Sequence, residues 1–122
     1  IQIKSFSTTD MSSEISDASL LITDYSSICW DFLYLKKPVI FFQFDKKSYD
    51  LLQGGYSELD IELLGKKVTT VSTALDKIAH YARIDFLLES EYNRNREKII
   101  PDFKKSHCEL IYEQIIILES EL

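Results

Sequence analysis

Two adjacent serines, Ser26 and Ser27, stand between an apolar run at residues 20–23 and a helical pattern at residues 27–35. The first N–H groups of a helix have no partner within the helix, and the helix dipole places partial positive charge there. Phosphate binds well at such an end, where serine hydroxyls also donate to it. Serine is equally a common N-cap residue. The spacing therefore leaves phosphate binding and simple helix capping both open.

Three carboxylates accompany the serines. Asp31 follows Ser27 by four residues, so both belong to one helix face, and its carboxylate suits the two hydroxyls of a ribose. Asp24 suits a turn or a contact with ligand hydroxyls, whereas Asp45 suits a polar substrate or the capping of the next segment. Asp31 could equally be a helix-surface charge. With the serines, these residues form a candidate binding site for a nucleotide diphosphate.

Alternating strands and helices must position this site. Residues 20–23 are continuously apolar, as in a parallel strand buried on both faces, and residues 39–42 repeat that pattern after the helix. Such an order predicts an α/β fold with right-handed crossovers and a parallel sheet. Ligands of open parallel sheets bind outside the carboxyl ends of the strands. We therefore expect residues 24–27 and 43–45 to meet at one edge of the sheet.

The remaining segments predict a single α/β domain over residues 1–122, with C-terminal helices from about residue 72. In the first half we predict a weak strand over residues 1–6 and a short helix capped by Asp10 and ending at Ser16. An irregular stretch over residues 43–67 and an edge strand over 68–71 follow. Three helices complete the chain: one capped by Ser72 or Thr73, one over residues 92–100 and one over 106–118.

The two cysteines, Cys29 and Cys108, fit no metal-ligand spacing, and we expect both to be buried free thiols, as in a reducing compartment. Cys108 also begins an apolar stripe in the last predicted helix, continued by Ile111, Ile115 and Leu118. At this spacing the four side chains share one face, which we expect to point inward.

Composition narrows the function classes. A chain of 122 residues with 45% hydrophobic residues suits one globular domain, and a net charge of −6 argues against nucleic acid and anionic lipid as partners of the bulk surface. No apolar run reaches the ~18 residues of a membrane span, and no signal peptide pattern opens the chain. Because it begins at Ile1 rather than Met, we expect it to be part of a longer protein.

The sequence offers no evident catalytic group. His80 and His107 stand alone, as structural or solvent-facing histidines usually do. No Ser-His-Asp set, zinc-ligand cluster or glycine-rich phosphate loop can be assembled. We therefore predict no metal and no cofactor, and the available chemistry is binding rather than bond breaking.

The run TDYSSICWDFLYLKKPVIFFQFD at residues 23–45, followed by Tyr49 and by Gly55-Tyr56, resembles the CDP-glycerol glycerophosphotransferase family. Members of that family prime and polymerise poly(glycerol phosphate) teichoic acid and related cell-surface polymers. The matching positions are residues 21–27, Asp31, Leu35, Lys37-Pro38, Ile40-Phe41 and Asp45.

This resemblance implies two Rossmann-like domains facing a cleft, the GT-B arrangement, with this chain as the distal half of the donor domain. Ser26 and Ser27 would then face the donor pyrophosphate and Asp31 the ribose. An acceptor hydroxyl, on a polymer or lipid-linked acceptor, would attack the β-phosphate of CDP-glycerol and release CMP. The family's catalytic base belongs to segments outside this chain, and neither His80 nor His107 matches it. We therefore expect this chain alone to be inactive.

The resemblance has departures. The family usually has Asp at the position of Ser19, and residues 102–109 lack the family's Gly and Arg, although Lys104, Lys105 or Ser106 could replace a phosphate contact there. Two alternatives stay open: a GT-B glycosyltransferase that uses a nucleotide sugar, and a non-catalytic α/β binding module. For the full-length protein the resemblance implies a cytoplasmic location at the inner membrane face, reached through other segments. An apolar sheet edge would favour a homo-oligomer.

Overall fold

Three parallel strands form the centre of the chain, in a computed structural model that describes residues 2–5, 10–53 and 61–122. The strands are β1 (Leu21–Thr23), β2 (Val39–Phe42) and β3 (Lys66–Val68), in the order β1-β2-β3. The helices of the described part are α1 (Met11–Asp17), α2 (Cys29–Tyr34), α3 (Lys46–Gln53), α4 (Val71–Arg83), α5 (Ser90–Glu97) and α6 (His107–Glu121), with a 3-10 turn at Ile61–Leu63. This architecture confirms the predicted α/β, Rossmann-like parallel sheet with flanking helices.

The middle strand, β2, carries the core on both of its faces. Successive side chains of a strand point to opposite faces, so Val39 and Phe41 lie on one side and Ile40 on the other. One core cluster contains Cys29, Phe32, Leu33, Val39, Phe41 and Leu64. The second contains Ile40, Val68, Ala74 and Tyr81. Burial on both faces explains why the sequence of this strand is continuously apolar.

Helix α2 ends in a Schellman motif, which aims the chain back toward β2. Lys36 adopts a left-handed conformation with φ 58°, and the N–H of Lys37 donates to Phe32 O over 2.9 Å. The ammonium of Lys37 then donates to Ile15 O at 2.8 Å and to Ser16 O at 2.6 Å. These carbonyls lie at the C-terminal end of α1, so Lys37 caps a neighbouring helix as well as following its own.

Several predicted boundaries in the first half of the chain were wrong. Residues 2–5 form no strand, while residues 1 and 6–9 lie outside the described residues. Helix α3 occupies part of the stretch predicted to be irregular. Its first bond runs from Tyr49 N–H to Asp45 O over 3.0 Å, and Tyr49 packs on the loop after β1. The contact between Tyr49 and Tyr25 packs α3 against the rest of the fold, which the polar sequence of this helix did not predict.

The edge strand and the helix after it begin earlier than predicted. β3 covers Lys66–Val68 instead of residues 68–71. The N-cap of α4 is Thr70, not Ser72 or Thr73, because Thr70 has extended backbone and its hydroxyl accepts from the N–H of Thr73 at 3.2 Å. Helix α5 likewise starts at Ser90, two residues before the predicted position.

The predicted inward stripe of α6 was wrong. Ile111, Ile115 and Leu118 are 60%, 48% and 60% exposed, and no residue of this helix is buried. Its first turn is well built, since Ser106 and Glu109 form a reciprocal capping box. The helix lies against the described residues mainly at this end, where His107 Nε2 is 3.0 Å from the hydroxyl of Tyr34.

The two cysteines differ in accessibility, which confirms one expectation and corrects the other. Both are free, but Cys29 is buried in the core whereas Cys108 is exposed on α6. Burial raises the pKa of the Cys29 thiol, and a thiol reacts as its thiolate. We expect iodoacetamide at pH 7.5 to label Cys108 in the native protein and Cys29 only after denaturation, as measured by peptide mass spectrometry. Equal native labelling of both would contradict this core.

Candidate functional site

The loop between β1 and α2 carries the predicted serines. Asp24 Oδ1 accepts the N–H of Tyr25 at 2.6 Å, and the chain bends at these two residues after the strand. Ser26 Oγ accepts the N–H of Ile28 over a long 3.4 Å, so Ser26 partly caps the first turn. The carbonyls of Ser26 and Ser27 accept the next two N–H groups, at 3.4 and 3.1 Å. The helical turn thus begins at the serines, although regular α-helix starts only at Cys29.

Ser27 and Asp31 keep their polar groups available. Both residues are exposed, and among the described residues neither the Ser27 N–H, the Ser27 hydroxyl nor the Asp31 carboxylate has a hydrogen-bond partner. Asp31 belongs to the first turn of α2. Simple capping therefore accounts for Ser26 in part and does not account for Ser27.

The ends of β1 and β2 meet as predicted, because these strands are parallel neighbours with Thr23 opposite Phe41. The hydroxyl of Tyr25 donates to Asp45 Oδ1 over 3.1 Å, which joins the two loops at the carboxyl edge. The rings of Tyr25 and Tyr49 are stacked, with centroids 3.7 Å apart and planes 11° apart. Tyr56, which is part of the family resemblance, lies outside the described residues. The two loops and the start of α3 therefore contact one another and form one surface at this edge.

Gln43 is a polar residue that the sequence reasoning placed at this edge but did not count among the candidate site residues. It follows β2 directly and is only 6% exposed. Its backbone N–H donates to Val68 O at 2.9 Å, and its Nε2 donates to the carbonyl of Asp24 at 3.4 Å. The signal was present in the sequence, since Gln43 interrupts the apolar run FFQF.

Two of the three C-terminal groups considered for a phosphate contact, Lys105 and Ser106, are engaged elsewhere. Ser106 caps α6, and the ammonium of Lys105 pairs with Glu113. The Asp102 carboxylate forms ion pairs with Lys36 Nζ at 2.9 Å and with Arg96 Nη2 at 3.3 Å. The Lys36 ammonium and then the Arg96 guanidinium hold the pKa of the Asp102 carboxyl below its ordinary value. Asp102 thus ties α5 to the end of α2.

The histidines also have structural partners. His80 Nε2 lies 2.9 Å from Glu89 Oε1, on the face formed by α4 and the start of α5. His107 contacts Tyr34 at the first turn of α6. Neither histidine contacts the loop that carries Ser26 and Ser27.

Within residues 2–5, 10–53 and 61–122, no group of three or more histidine, cysteine or acidic side chains is arranged to hold a metal ion. The helices of the same residues include none with the length and apolarity needed to cross a bilayer.

These features define a Rossmann-like α/β protein whose polar groups gather at the carboxyl edge of a parallel sheet. The chain belongs to the CDP-glycerol:poly(glycerophosphate) glycerophosphotransferase family, whose sequence model matches residues 2–116. That match covers nearly the whole chain and confirms the resemblance found in residues 23–45.

Individual relatives carry names from teichoic acid synthesis. The chain is 27% identical over 105 residues to the minor teichoic acid biosynthesis protein GgaB of Bacillus subtilis, covering 86% of this chain and 11% of the relative. It is 39% identical over 72 residues to the teichoic acid poly(glycerol phosphate) polymerase of the same organism, covering 58% and 10%. With the teichoic acid glycerol-phosphate transferase of Staphylococcus aureus it shares 43% over 65 residues, covering 52% and 16%. The chain thus matches only a small part of each relative's length.

Proposed function

We propose that this chain forms the donor-binding part of a transferase that moves glycerol phosphate, or a related polyol phosphate, from a CDP-linked donor to a cell-surface polymer. The observation that carries the proposal is the turn at Ser26 and Ser27, where exposed N–H and hydroxyl groups open α2 beside the end of the neighbouring strand. The relatives' names include both poly(glycerol phosphate) and ribitol-phosphate polymerases. Polyol phosphate is the class they share.

In this proposal, different residues of the site bind different parts of the donor. Ser26 and Ser27 bind the pyrophosphate through hydroxyl and N–H groups, and Asp31 accepts hydrogen bonds from the ribose hydroxyls. Asp24 and Asp45 serve hydroxyls of the ligand, since a carboxylate repels phosphate but accepts from O–H groups. The N–H of Tyr25 and the hydroxyl of Tyr25 hold these two carboxylates in place.

Transfer at phosphorus requires mainly positioning and stabilisation of phosphate charge, which the serine turn supplies. The acceptor hydroxyl attacks the β-phosphate and CMP leaves, with the proton accepted by a base outside this chain. In this proposal residues 1–122 are the distal half of a GT-B donor domain, working in the cytoplasm at the inner membrane face. β1 is an edge strand of the described sheet and its Ile22 is exposed, which allows further contacts within the protein or in a homo-oligomer.

Titration of the complete gene product by calorimetry tests the proposal. We expect CDP-glycerol and CDP to bind, and UDP-glucose to bind at least tenfold more weakly. Preference for the UDP-sugar would favour a nucleotide-sugar glycosyltransferase instead. No binding of any nucleotide would favour a non-catalytic binding module.

Ser27→Ala and Asp31→Ala should each weaken CDP binding about tenfold or more. Ser27→Ala removes a hydrogen bond to the charged pyrophosphate, and Asp31→Ala removes the carboxylate that accepts from the ribose hydroxyls. Matched controls are Ser72→Ala and Asp17→Ala, which change exposed residues on other helices and should leave the affinity unaltered. If both site variants bind CDP as the wild type does, the assignment of this turn is wrong.

A further inference from the structure

The carboxamide of Gln43 is poorly satisfied for a group so deeply buried. Among the described residues nothing donates to its Oε1, which is enclosed, and its one side-chain bond, to Asp24 O, is long at 3.4 Å. More than nine in ten buried polar groups in native proteins have a hydrogen-bond partner. An enclosed amide oxygen without one, at the edge of a sheet where ligands bind, indicates a partner that arrives with the ligand.

The neighbours of Gln43 identify the chemistry of that partner. Its amide reaches Asp24, whose carboxylate begins the loop after β1, and Tyr25 links this loop to Asp45 after β2. Three side-chain acceptors, two carboxylates and one amide oxygen, thus belong to two adjacent strand ends. Hydroxyl groups donate to such acceptors, whereas a phosphate offers only acceptors of its own at neutral pH. The set suits a chain of neighbouring hydroxyls.

We propose that Gln43 determines specificity for the transferred group, its Oε1 accepting a hydrogen bond from a hydroxyl of the polyol part of the donor. The inference rests on the proposed function and adds to it the residue that distinguishes a polyol-bearing nucleotide from the bare nucleotide. Because Oε1 is enclosed, the contact forms when the loop at Asp24 and Tyr25 shifts, which exchanges the long bond to Asp24 O and rearranges the contacts of Tyr25 with Asp45 and Tyr49. The ligand hydroxyl then satisfies an acceptor to which no described residue donates.

Gln43→Met tests this role, since methionine keeps the length of the side chain and removes the acceptor. Calorimetry on the complete gene product compares CDP with CDP-glycerol for the wild type, the variant and the control Gln114→Met, which makes the same change on the exposed face of α6. We expect Gln43→Met to weaken CDP-glycerol binding about five- to tenfold and CDP binding less than twofold. Gln114→Met should change neither.

The other outcomes separate the two proposals. Equal losses for CDP and CDP-glycerol would overturn the inference and leave Gln43 as a support of the loop, while the proposed function stands. Unchanged affinity for both ligands would overturn it as well. A wild-type protein that binds neither ligand would overturn the proposed function, and this inference with it. Binding of CDP by the variant also shows that it is folded, so a loss confined to CDP-glycerol cannot come from unfolding.

Discussion

Gly65→Ala is expected to destabilise the protein by about 3 kcal/mol, because a new methyl group has no room at this position. A Cβ at residue 65 would lie 2.5 Å from Val39 O and 2.9 Å from Phe41 Cε2. The carbonyl belongs to the backbone of the central strand and cannot turn aside as a side chain does. Relief of the contact must therefore displace β3 from β2.

Urea unfolding followed by circular dichroism measures this loss as a lower midpoint. Thr69→Ala is the control, since it adds nothing beside β2 at an exposed position just after β3, and should change stability by less than about 0.5 kcal/mol. A wild-type midpoint for Gly65→Ala would contradict the packing of β3 described above. Since Val68 O accepts the N–H of Gln43, the same variant should also weaken the binding of CDP-glycerol.

Arg96→Ala is expected to cost about 3 kcal/mol, through a cavity and several unmade hydrogen bonds. Arg96 is 1% exposed, and its guanidinium donates to Asn93 Oδ1 at 3.1 Å, Ile100 O at 3.3 Å and Asp102 Oδ1 at 3.3 Å. These contacts fix the segment after α5 against the rest of the fold. Arg94→Ala removes an exposed arginine from the same helix and should change stability by less than about 0.5 kcal/mol.

The Arg96→Ala loss should also depend on pH. Folding lowers the pKa of Asp102 from its ordinary 3.8, so the carboxylate contributes stability above that pH and loses it as the pH falls through the lower folded value. Comparison of urea midpoints at pH 7 and pH 3 should therefore show a smaller difference between wild type and variant at pH 3. Equal stability of the Arg94→Ala and Arg96→Ala proteins at pH 7 would contradict the buried network.

The sequence predicted the part of the candidate site that depends on local patterns. Two continuous apolar runs around one short helix predicted parallel strands, and parallel neighbours bring Asp24 and Asp45 to the same edge. The predicted burial of β1 on both faces was wrong, since Ile22 of this edge strand is 44% exposed. The cap at Asp10 was predicted, because a side chain that caps a helix bonds to backbone only two or three residues away. Ser106 was predicted to be the first residue of its helix and is instead the N-cap. The roles of Ser26, Ser27 and Asp31 at this edge stay predictions.

The features that were missed arise between distant residues. Helix α3 has a polar sequence, and the stacking of Tyr49 on Tyr25 accompanies its formation across 24 residues of chain. Arg96 is hydrophilic by type, and only its three acceptors make burial possible. The stripe of α6 has the spacing of a buried face, yet spacing says that side chains share a face and not that anything covers it.

By itself, then, the sequence determined the family, the parallel order of β1 and β2 and the turn of serines between them, because each is written in neighbouring residues. Only the tertiary structure decided that Gln43 lies buried beside Asp24, that Lys37 caps α1 and that Tyr25 reaches Asp45. The physical reason is that these hydrogen bonds join residues about 20 positions apart, which only the packed fold brings together. At the carboxyl edge of the sheet, the fold places Gln43 Oε1, the acceptor that we infer to bind a hydroxyl of the polyol.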